Sequence, residues 1–431
     1  VKGIMMNKNR VKTNGKVISQ VKYWLEGLTH NAKPSFAECL SVLGAHFPLL
    51  KEFQQTQQEP QWHAEGDVAI HTDMVLTALY RLLDNEAVHI TGWRRASLIL
   101  GALLHDVAKP VTTVQRQVRG HLRWVSPKHE TIGRDYLLFR LLPFELPKTV
   151  WLTVLHLVGE HQVPKWLVIK DKPIADYLQL ARKVDLELIY FLALADMQGR
   201  ECEDKQWQLE LLELFKMQSR QYNLWQQPPH QDWLKVIEQD ISCLPKVTQA
   251  LIKSEAVYLR EQGVIHDPAD ALGKTYHYRN KATPQVIVAC GLSGSGKSTW
   301  IERHHADLPV ISLDSIRQEL TGNQADQRQN KQVVTIAKQR LKDCLRNRQS
   351  VVWDATNIRR DFRDQLFTMI RNYDGFMQLV MMVNPMDICI KQNQKRANGL
   401  SDQIIVEQQN RFEFPLPVEA HQLTFISHLK G

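Results

Sequence analysis

The sequence predicts a multidomain protein, with an all-α domain over residues 37–225 followed by an α/β domain with a parallel sheet from residue 284. Three observations predict this. A chain of 431 residues exceeds what a single core usually fills. Between 37 and 225, apolar residues recur at spacings of three and four and β-branched alternating runs are scarce, the pattern of successive amphipathic helices. After Pro284 short β-rich runs alternate with helical stretches, which implies parallel strands joined by helices.

Residues 1–36 carry seven Lys and Arg against one Glu and are weakly patterned, so they are expected to form a basic, loosely ordered arm. The Gln-rich stretch from Gln54 to Gln61, closed by Pro60, reads as a surface loop. Residues 226–283 begin with Pro228 and Pro229, continue through a helical piece around Leu234 to Leu259, and end among Gly263, Pro268 and Gly273, which predicts a helical connector. QVIVAC (285–290), PVISL (309–313), QSVVWDA (349–355) and QLVMMV (378–383) are the expected strands.

Composition narrows the classes. The apolar run from Ala96 to Leu104 is about half the roughly 18 residues a membrane-spanning helix needs, and no secretory pattern precedes it. A cytoplasmic protein without membrane contact is the expectation. Six cysteines lie far apart without a CxxC pair, against both a disulfide framework and a thiolate metal site. The formal charge of +8 is uneven: residues 1–36 carry +6 and residues 281–431 carry +5, leaving 37–280 at −3. Positive ends suit a polyanionic partner.

Gly291-Leu-Ser293-Gly294-Ser295-Gly296-Lys297-Ser298-Thr299 fits GxxxxGK[ST] between a predicted strand and helix, the context this phosphate-binding loop requires. The glycines let backbone N–H groups wrap a polyphosphate, Lys297 reaches the β and γ phosphates, and the Ser298 hydroxyl can ligate Mg²⁺. ATP, or GTP, is the expected ligand. Asp314 follows the next strand, with Arg317 three residues on. A carboxylate there can take the proton of an attacking hydroxyl and the arginine can hold an anionic acceptor, although a helix cap with an exposed arginine would look the same. Asp354 ends the following strand and can act through Mg²⁺-bound water or serve only its turn. Lys391, Lys395, Arg396 and Arg411 populate a helical stretch, of which Arg396 is the first choice for a cation closing over the phosphates.

GLSGSGKSTW (291–300), LDSIRQEL (313–320), VVWDATNIRRDFR (351–363), NQKRANG (393–399) and RFEFP (411–415) together resemble the polynucleotide kinase branch of the P-loop phosphotransferases. The resemblance implies that Asp314 is the general base for a 5′-hydroxyl, Arg317 contacts the adjacent phosphate and Arg396 is a lid arginine.

In the first domain, ASLILGALLHDVAK (96–109) is an apolar helix ending in His105 and Asp106, and three-and-four spacing turns that pair inward. His71 shares a stripe with Val68, Val75, Ala78 and Leu82, and Asp196 lies one turn after Leu192. Buried ionisable groups of this kind need pairing or a metal. Four N/O ligands without thiolate suit Mn²⁺, Fe²⁺, Co²⁺, Ni²⁺ or Zn²⁺, and His129 with His161 could hold a second ion bridged by Asp106. His156 competes with His161, and His63 reads as structural. His266-Asp267 reads as a turn.

The order His71, His105-Asp106, His129, His161 and Asp196 resembles the HD phosphohydrolase superfamily. Taken with the kinase motifs, the chain resembles bifunctional end-healing enzymes, an N-terminal HD phosphoesterase fused to a C-terminal polynucleotide kinase. That implies removal of a 2′,3′-cyclic phosphate or a 2′- or 3′-phosphate from RNA or DNA ends, phosphorylation of a 5′-hydroxyl by ATP with Mg²⁺, and a separate RNA ligase to seal. Rival readings are a nucleotidase or cyclic-nucleotide phosphodiesterase joined to a small-molecule kinase, and an ATP-gated switch on the hydrolase.

Overall fold

The computed structural model describes residues 20–322, 328–396 and 399–427. They divide into two compact units that meet between Gln227 and Pro228.

The first unit is helical around one central helix, Leu186–Gln198, whose residues Leu186 to Met197 are all buried. A helix apolar on every side has to be surrounded. Helices Val68–Asn85, Gly92–Leu104, Lys148–Glu160, Val163–Ile169 and Lys205–Gln221 pack against it. Asp185 starts the central helix by accepting the N–H groups of Glu187 and Leu188, and Asp67 does the same for Val68–Asn85 through Ala69 and Ile70. The helical expectation fails at one place. Strands β1 (Val114–Val118) and β2 (His121–Val125) form an antiparallel hairpin, turned by Arg119 and Gly120 at φ 49° and 84°. Two positive-φ residues suit the twist of a hairpin, and its strands, exposed or half-buried throughout with apolar and polar residues mixed, have no buried face for sequence patterning to register.

The basic arm also differs from its expected form. Residues 20–27 are helical, with Val21, Leu25 and Leu28 buried, and the Arg95 guanidinium donates to the carbonyls of Leu28 and Ala32. Residues 1–19 of the arm lie outside the described residues.

The second unit is built on a five-stranded parallel sheet. Its strands are β3 (Gln285–Cys290), β4 (Val310–Ser312), β5 (Val351–Asp354), β6 (Phe376–Val383) and β7 (Gln422–Ser427), in the order β4-β5-β3-β6-β7. The four expected strands are all present. β7, whose sequence QLTFIS was not singled out, adds an edge beside β6. The strand after which the glycine-rich loop begins is central, so ligands at its carboxyl end sit where the strand order reverses.

The segment expected to be a connector belongs to this unit. Its helices Gln231–Ile241, Lys246–Glu261 and Pro268–Thr275 form an apolar cluster with Phe376 of β6. Glu255 pins them: it pairs with Arg371 at 2.6 Å and takes a bond from His421 Nε2 at 2.9 Å, while His421 Nδ1 accepts the Met377 N–H. Asp267 of the second His-Asp pair caps Pro268–Thr275 by accepting from Asp270 N at 2.9 Å.

Burial alone would raise Glu255, but the bonds from Arg371 and His421 overcome it and hold the carboxyl down at about 2. A value below the ordinary range makes this contribution complete above about pH 4.5 and lost as pH falls toward 2. In urea unfolding at pH 7, Glu255→Gln is therefore expected to cost roughly 3 kcal/mol, and its stability should change less between pH 5 and 3 than the wild type's.

Candidate functional site

Each unit carries one cluster of chemically capable side chains. In the first unit His71 comes from the helix Val68–Asn85, and His105 with Asp106 from the end of Gly92–Leu104. His129 opens His129–Arg140, His161 closes Lys148–Glu160, and Asp196 lies on the central helix. All six are at most 8% exposed. Asp106 is the hub: Oδ2 lies 3.1 Å from His105 Nε2 and 3.7 Å from His71 Nε2, and Oδ1 lies 3.2 Å from His129 Nε2. His71 Nε2 is 3.1 Å from Asp196 Oδ1, and the Nε2 atoms of His129 and His161 are 3.3 Å apart.

The donor atoms fall into two groups sharing Asp106, one of His71, His105 and Asp106 and the other of Asp106, His129 and His161, each within 4.8 Å. Both ring nitrogens of His71, His105 Nε2 and both Asp106 oxygens have close neighbours but no aligned hydrogen bond among the described residues. Buried polar atoms left so are costly, and a cation accounts for those that converge on Asp106, while His71 Nδ1 faces Glu65 at 2.9 Å. His105, His129 and His161 each place Nδ1 2.8 Å from the carbonyl three residues earlier, so Nε2 faces inward. The residues present therefore fit divalent ions bound through imidazole and carboxylate. His156 is in neither group; burial, with Arg134 and Lys183, depresses it to about 3.

Two cations balance the carboxylates. Lys109 Nζ lies 2.7 Å from Asp106 Oδ2, and Arg200 Nη2 donates to both Asp196 oxygens at 2.8 and 3.1 Å. Burial alone would raise both aspartates, but His105 and Lys109 at Asp106, and Arg200 and His71 at Asp196, hold them well below the usual range. Burial, reinforced by His105 and His129, keeps His161 neutral, as a metal ligand must be. Sequence reasoning passed over Arg200, although it stands one helical turn after Asp196. It also left Glu65 unassigned and set His63 aside; His63, Glu65 and His71 form a third close group.

In the second unit, a cleft of about 820 Å³ opens at the carboxyl ends of the strands, lined by Ser293, Lys297, Ser298, Asp314, Arg317, Asn330, Asp354, Arg396 and Gln408 among others. Gly291, Gly294 and Gly296 have φ of 148°, 76° and 91°. A Cβ on Gly294 would lie 2.1 Å from the Cys389 carbonyl oxygen, so only glycine fits there. Lys297 Nζ donates to the carbonyls of Gly291 and Leu292 at 3.0 and 2.9 Å. Ser298 Oγ is 3.4 Å from Asp354 Oδ2, a pair of oxygens suited to one Mg²⁺. Burial raises Asp354, against the opposing pull of Lys297. Burial lowers Lys297, with Asp354 pulling the other way. Gln408 closes on the loop, accepting from Ser293 N at 2.9 Å and donating to its Oγ at 3.0 Å.

On the facing side Asp314 and Arg317 stand as the spacing expects, Nη1 to Oδ1 at 2.6 Å, and Arg317 also donates to Asn330 at 3.1 Å. Asp314 does not cap its helix. Ser312 does, accepting from Ser315 N, and Asp314 sits in the first turn with its side chain 68% exposed to the cleft. Arg396 is exposed just past the helix Met386–Gln394 rather than on it, and lines the cleft. Arg363 of the third motif is fully buried: it pairs with Glu419 at 2.6 Å and donates to the Asn357 carbonyl at 3.0 Å, buttressing the turn after Asp354. Glu413 of RFEFP accepts the Arg360 N–H on the same turn.

The comparisons with known proteins agree with this division. The HD domain family model matches residues 68–196, and an AAA domain model matches residues 286–415. The chain thus has an HD domain followed by a P-loop kinase-like domain. Among solved structures, a crystal structure assigned as a kinase, from Chloroflexus aurantiacus j-10-fl, is 16% identical and covers 34% of this chain and 88% of its own, with a TM-score of 0.28. No curated protein sequence matches the chain. Among the described residues no helix is long and apolar enough to cross a membrane.

Gly294→Ala should weaken ATP binding at least ten-fold in a fluorescent-nucleotide titration, because the added methyl displaces the loop from Cys389. Protein stripped by a chelator should melt below the same protein in excess Mn²⁺, by about 2.7 kcal/mol at a hundred times the dissociation constant. Asp106→Ala should remove that difference.

Proposed function

We propose that this chain, an HD domain joined to a P-loop kinase-like domain, heals nucleic-acid ends. The first unit would remove a 2′,3′-cyclic phosphate or a 2′- or 3′-phosphate, and the second would phosphorylate a 5′-hydroxyl. The observation that carries the reading is the Asp314–Arg317 pair opposite Lys297 in one cleft. A phosphoryl donor and an acceptor held by a carboxylate and an arginine can meet there in line.

In the kinase step Lys297 and the loop N–H groups would hold the β and γ phosphates of ATP, with Mg²⁺ at Ser298 and Asp354. Asp314 would take the proton of the 5′-hydroxyl as its oxygen bonds to the γ-phosphorus and the bond to the β-phosphate oxygen breaks, releasing ADP. Arg317 would hold the phosphate next to the acceptor nucleoside, and exposed Arg396 would close over the transferring group. The cleft is polar and open, and a flexible strand end enters such a site more readily than a closed sugar pocket would allow.

In the hydrolytic step His71, His105, Asp106 and Asp196 would hold one ion, and Asp106, His129 and His161 a second. Ions bound there polarise a phosphoryl oxygen and acidify water. Water oxygen adds to phosphorus as the bond to a ribose oxygen breaks, that oxygen leaving protonated; a cyclic phosphate needs two such hydrolyses. Lys109 and Arg200, the cations nearest the two aspartates, would offset negative charge on the phosphoryl group. Healed RNA or DNA ends would pass to a separate ligase, in the cytoplasm.

The test follows both ends of an oligoribonucleotide bearing a 5′-hydroxyl and a 2′,3′-cyclic phosphate, incubated with labelled ATP and Mn²⁺. Wild type should label the 5′ end and free the 3′ end. Lys297→Ala should lose only the first reaction and Asp106→Ala only the second, each by at least a hundred-fold. ATP hydrolysis without a labelled acceptor would sink the kinase reading in favour of a switch, and transfer to nucleosides in preference to oligonucleotides would favour a small-molecule kinase.

A further inference from the structure

Three of the four histidines at the Asp106 centre are held by backbone, each with Nδ1 2.8 Å from the carbonyl of Ala102, Ser126 or Val158. His71 is held differently. Its Nδ1 lies 2.9 Å from Glu65 Oε1, and the Glu65 side chain is 1% exposed. The same oxygen is 2.8 Å from His63 Nδ1, and the other, Oε2, accepts the backbone N–H of Glu201 at 2.9 Å. Glu201 directly follows Arg200, which grips Asp196. One buried carboxylate therefore joins the approach to the helix Val68–Asn85, the His71 ring and the chain just beyond Asp196.

Glu65 makes the two halves of the centre unequal. Around His71 Nε2 stand two carboxylates, Asp196 at 3.1 Å and Asp106 at 3.7 Å, with a third behind the ring in Glu65. Around His129 and His161 the shared Asp106 is the one carboxylate at the Nε2 atoms among the described residues; both rings lean on neutral carbonyls, and Glu130 Oε2, 3.6 Å from His129 Nδ1, is farther off than Glu65 is from His71 and sits on a side chain 24% exposed, where solvent screens it. A carboxylate behind an imidazole makes its far nitrogen a stronger donor, and each carboxylate beside a dication adds attraction that burial amplifies. Arg200 offsets the charge of Asp196, and Lys109 burdens the shared Asp106 for both halves, so the difference that remains between the halves is the extra oxygen ligand of Asp196 and the charge of Glu65.

We infer that the two metal positions fill in order. His71, His105, Asp106 and Asp196 form the tight position, Asp106, His129 and His161 form a weaker, exchangeable one, and Glu65 is the positioning residue that sets the ranking. This rests on the reading of these side chains as a two-ion centre.

The test titrates metal-free full-length protein with Mn²⁺ in the absence of nucleotide, counting free Mn²⁺ by electron paramagnetic resonance. Asp106→Ala marks any Mn²⁺ held elsewhere. Wild type should show two classes separated at least ten-fold. Glu65→Gln should weaken the tight class about ten- to hundred-fold and Glu65→Asp, which keeps the charge, should weaken it less. His129→Ala should remove the weak class and spare the tight one. Melting of each metal-free variant reports its fold, and if Glu65→Gln does not fold, Glu65→Asp and His129→Ala still test the order. Two equal classes in the wild type, or an unchanged tight class in folded Glu65→Gln, overturn the ranking. Wild-type binding identical to Asp106→Ala overturns the two-ion reading itself.

Discussion

A carboxylate 1% exposed inside an apolar helical core has to be compensated, and the first unit is arranged around doing so for Asp106. Desolvating such a charge costs several kcal/mol, so it persists only where partners arrive from many directions. Here a lysine comes from one turn along and histidines arrive from two other helices and from the preceding residue. The central helix, apolar on all sides, is what lets those helices converge. Specificity for this arrangement follows, because removing any one partner leaves the others buried without satisfaction.

Much of this was legible in the sequence because it is written in spacing. His71 and Asp196 sit on apolar stripes, and the glycine loop stands between a strand and a helix, so periodicity alone aimed those side chains inward or at a strand end. What periodicity does not carry was missed. Glu65 acts through a bent approach segment before a helix, where side-chain direction depends on the tertiary course of the chain. The hairpin Val114–Val125 has no buried face to create a pattern. Residues 20–27 carry one lysine and one glutamate, and their apolar stripe is only Val21 and Leu25, continued by Leu28, too short to stand out within the basic arm. Chain order names His161 ahead of His156, and of the two it is His161, at the helix end, that lies beside His129, with His156 farther back on the same helix.

The basic surplus of residues 281–431 is less available than its count suggests. Arg363 is wholly buried against Glu419, Arg371 is committed to Glu255, and Arg348 to Asp374. Of the arginines that line the cleft, Arg317 is only 5% exposed and Arg396 is exposed. Recognition built on a few placed guanidiniums discriminates by geometry, whereas a diffuse positive face would attract any polyanion.

Lys297 gives the glycine loop a property of a different kind. Its ammonium is 8% exposed and already bonded to two carbonyls of the loop that it would serve. An incoming triphosphate must compete with those carbonyls for the same protons. Nucleotide capture is then an exchange of partners, and the observed affinity measures the difference between two sets of bonds to one lysine. Such a loop keeps its shape between turnovers, and it releases product without leaving a bare charge in a low-dielectric cleft.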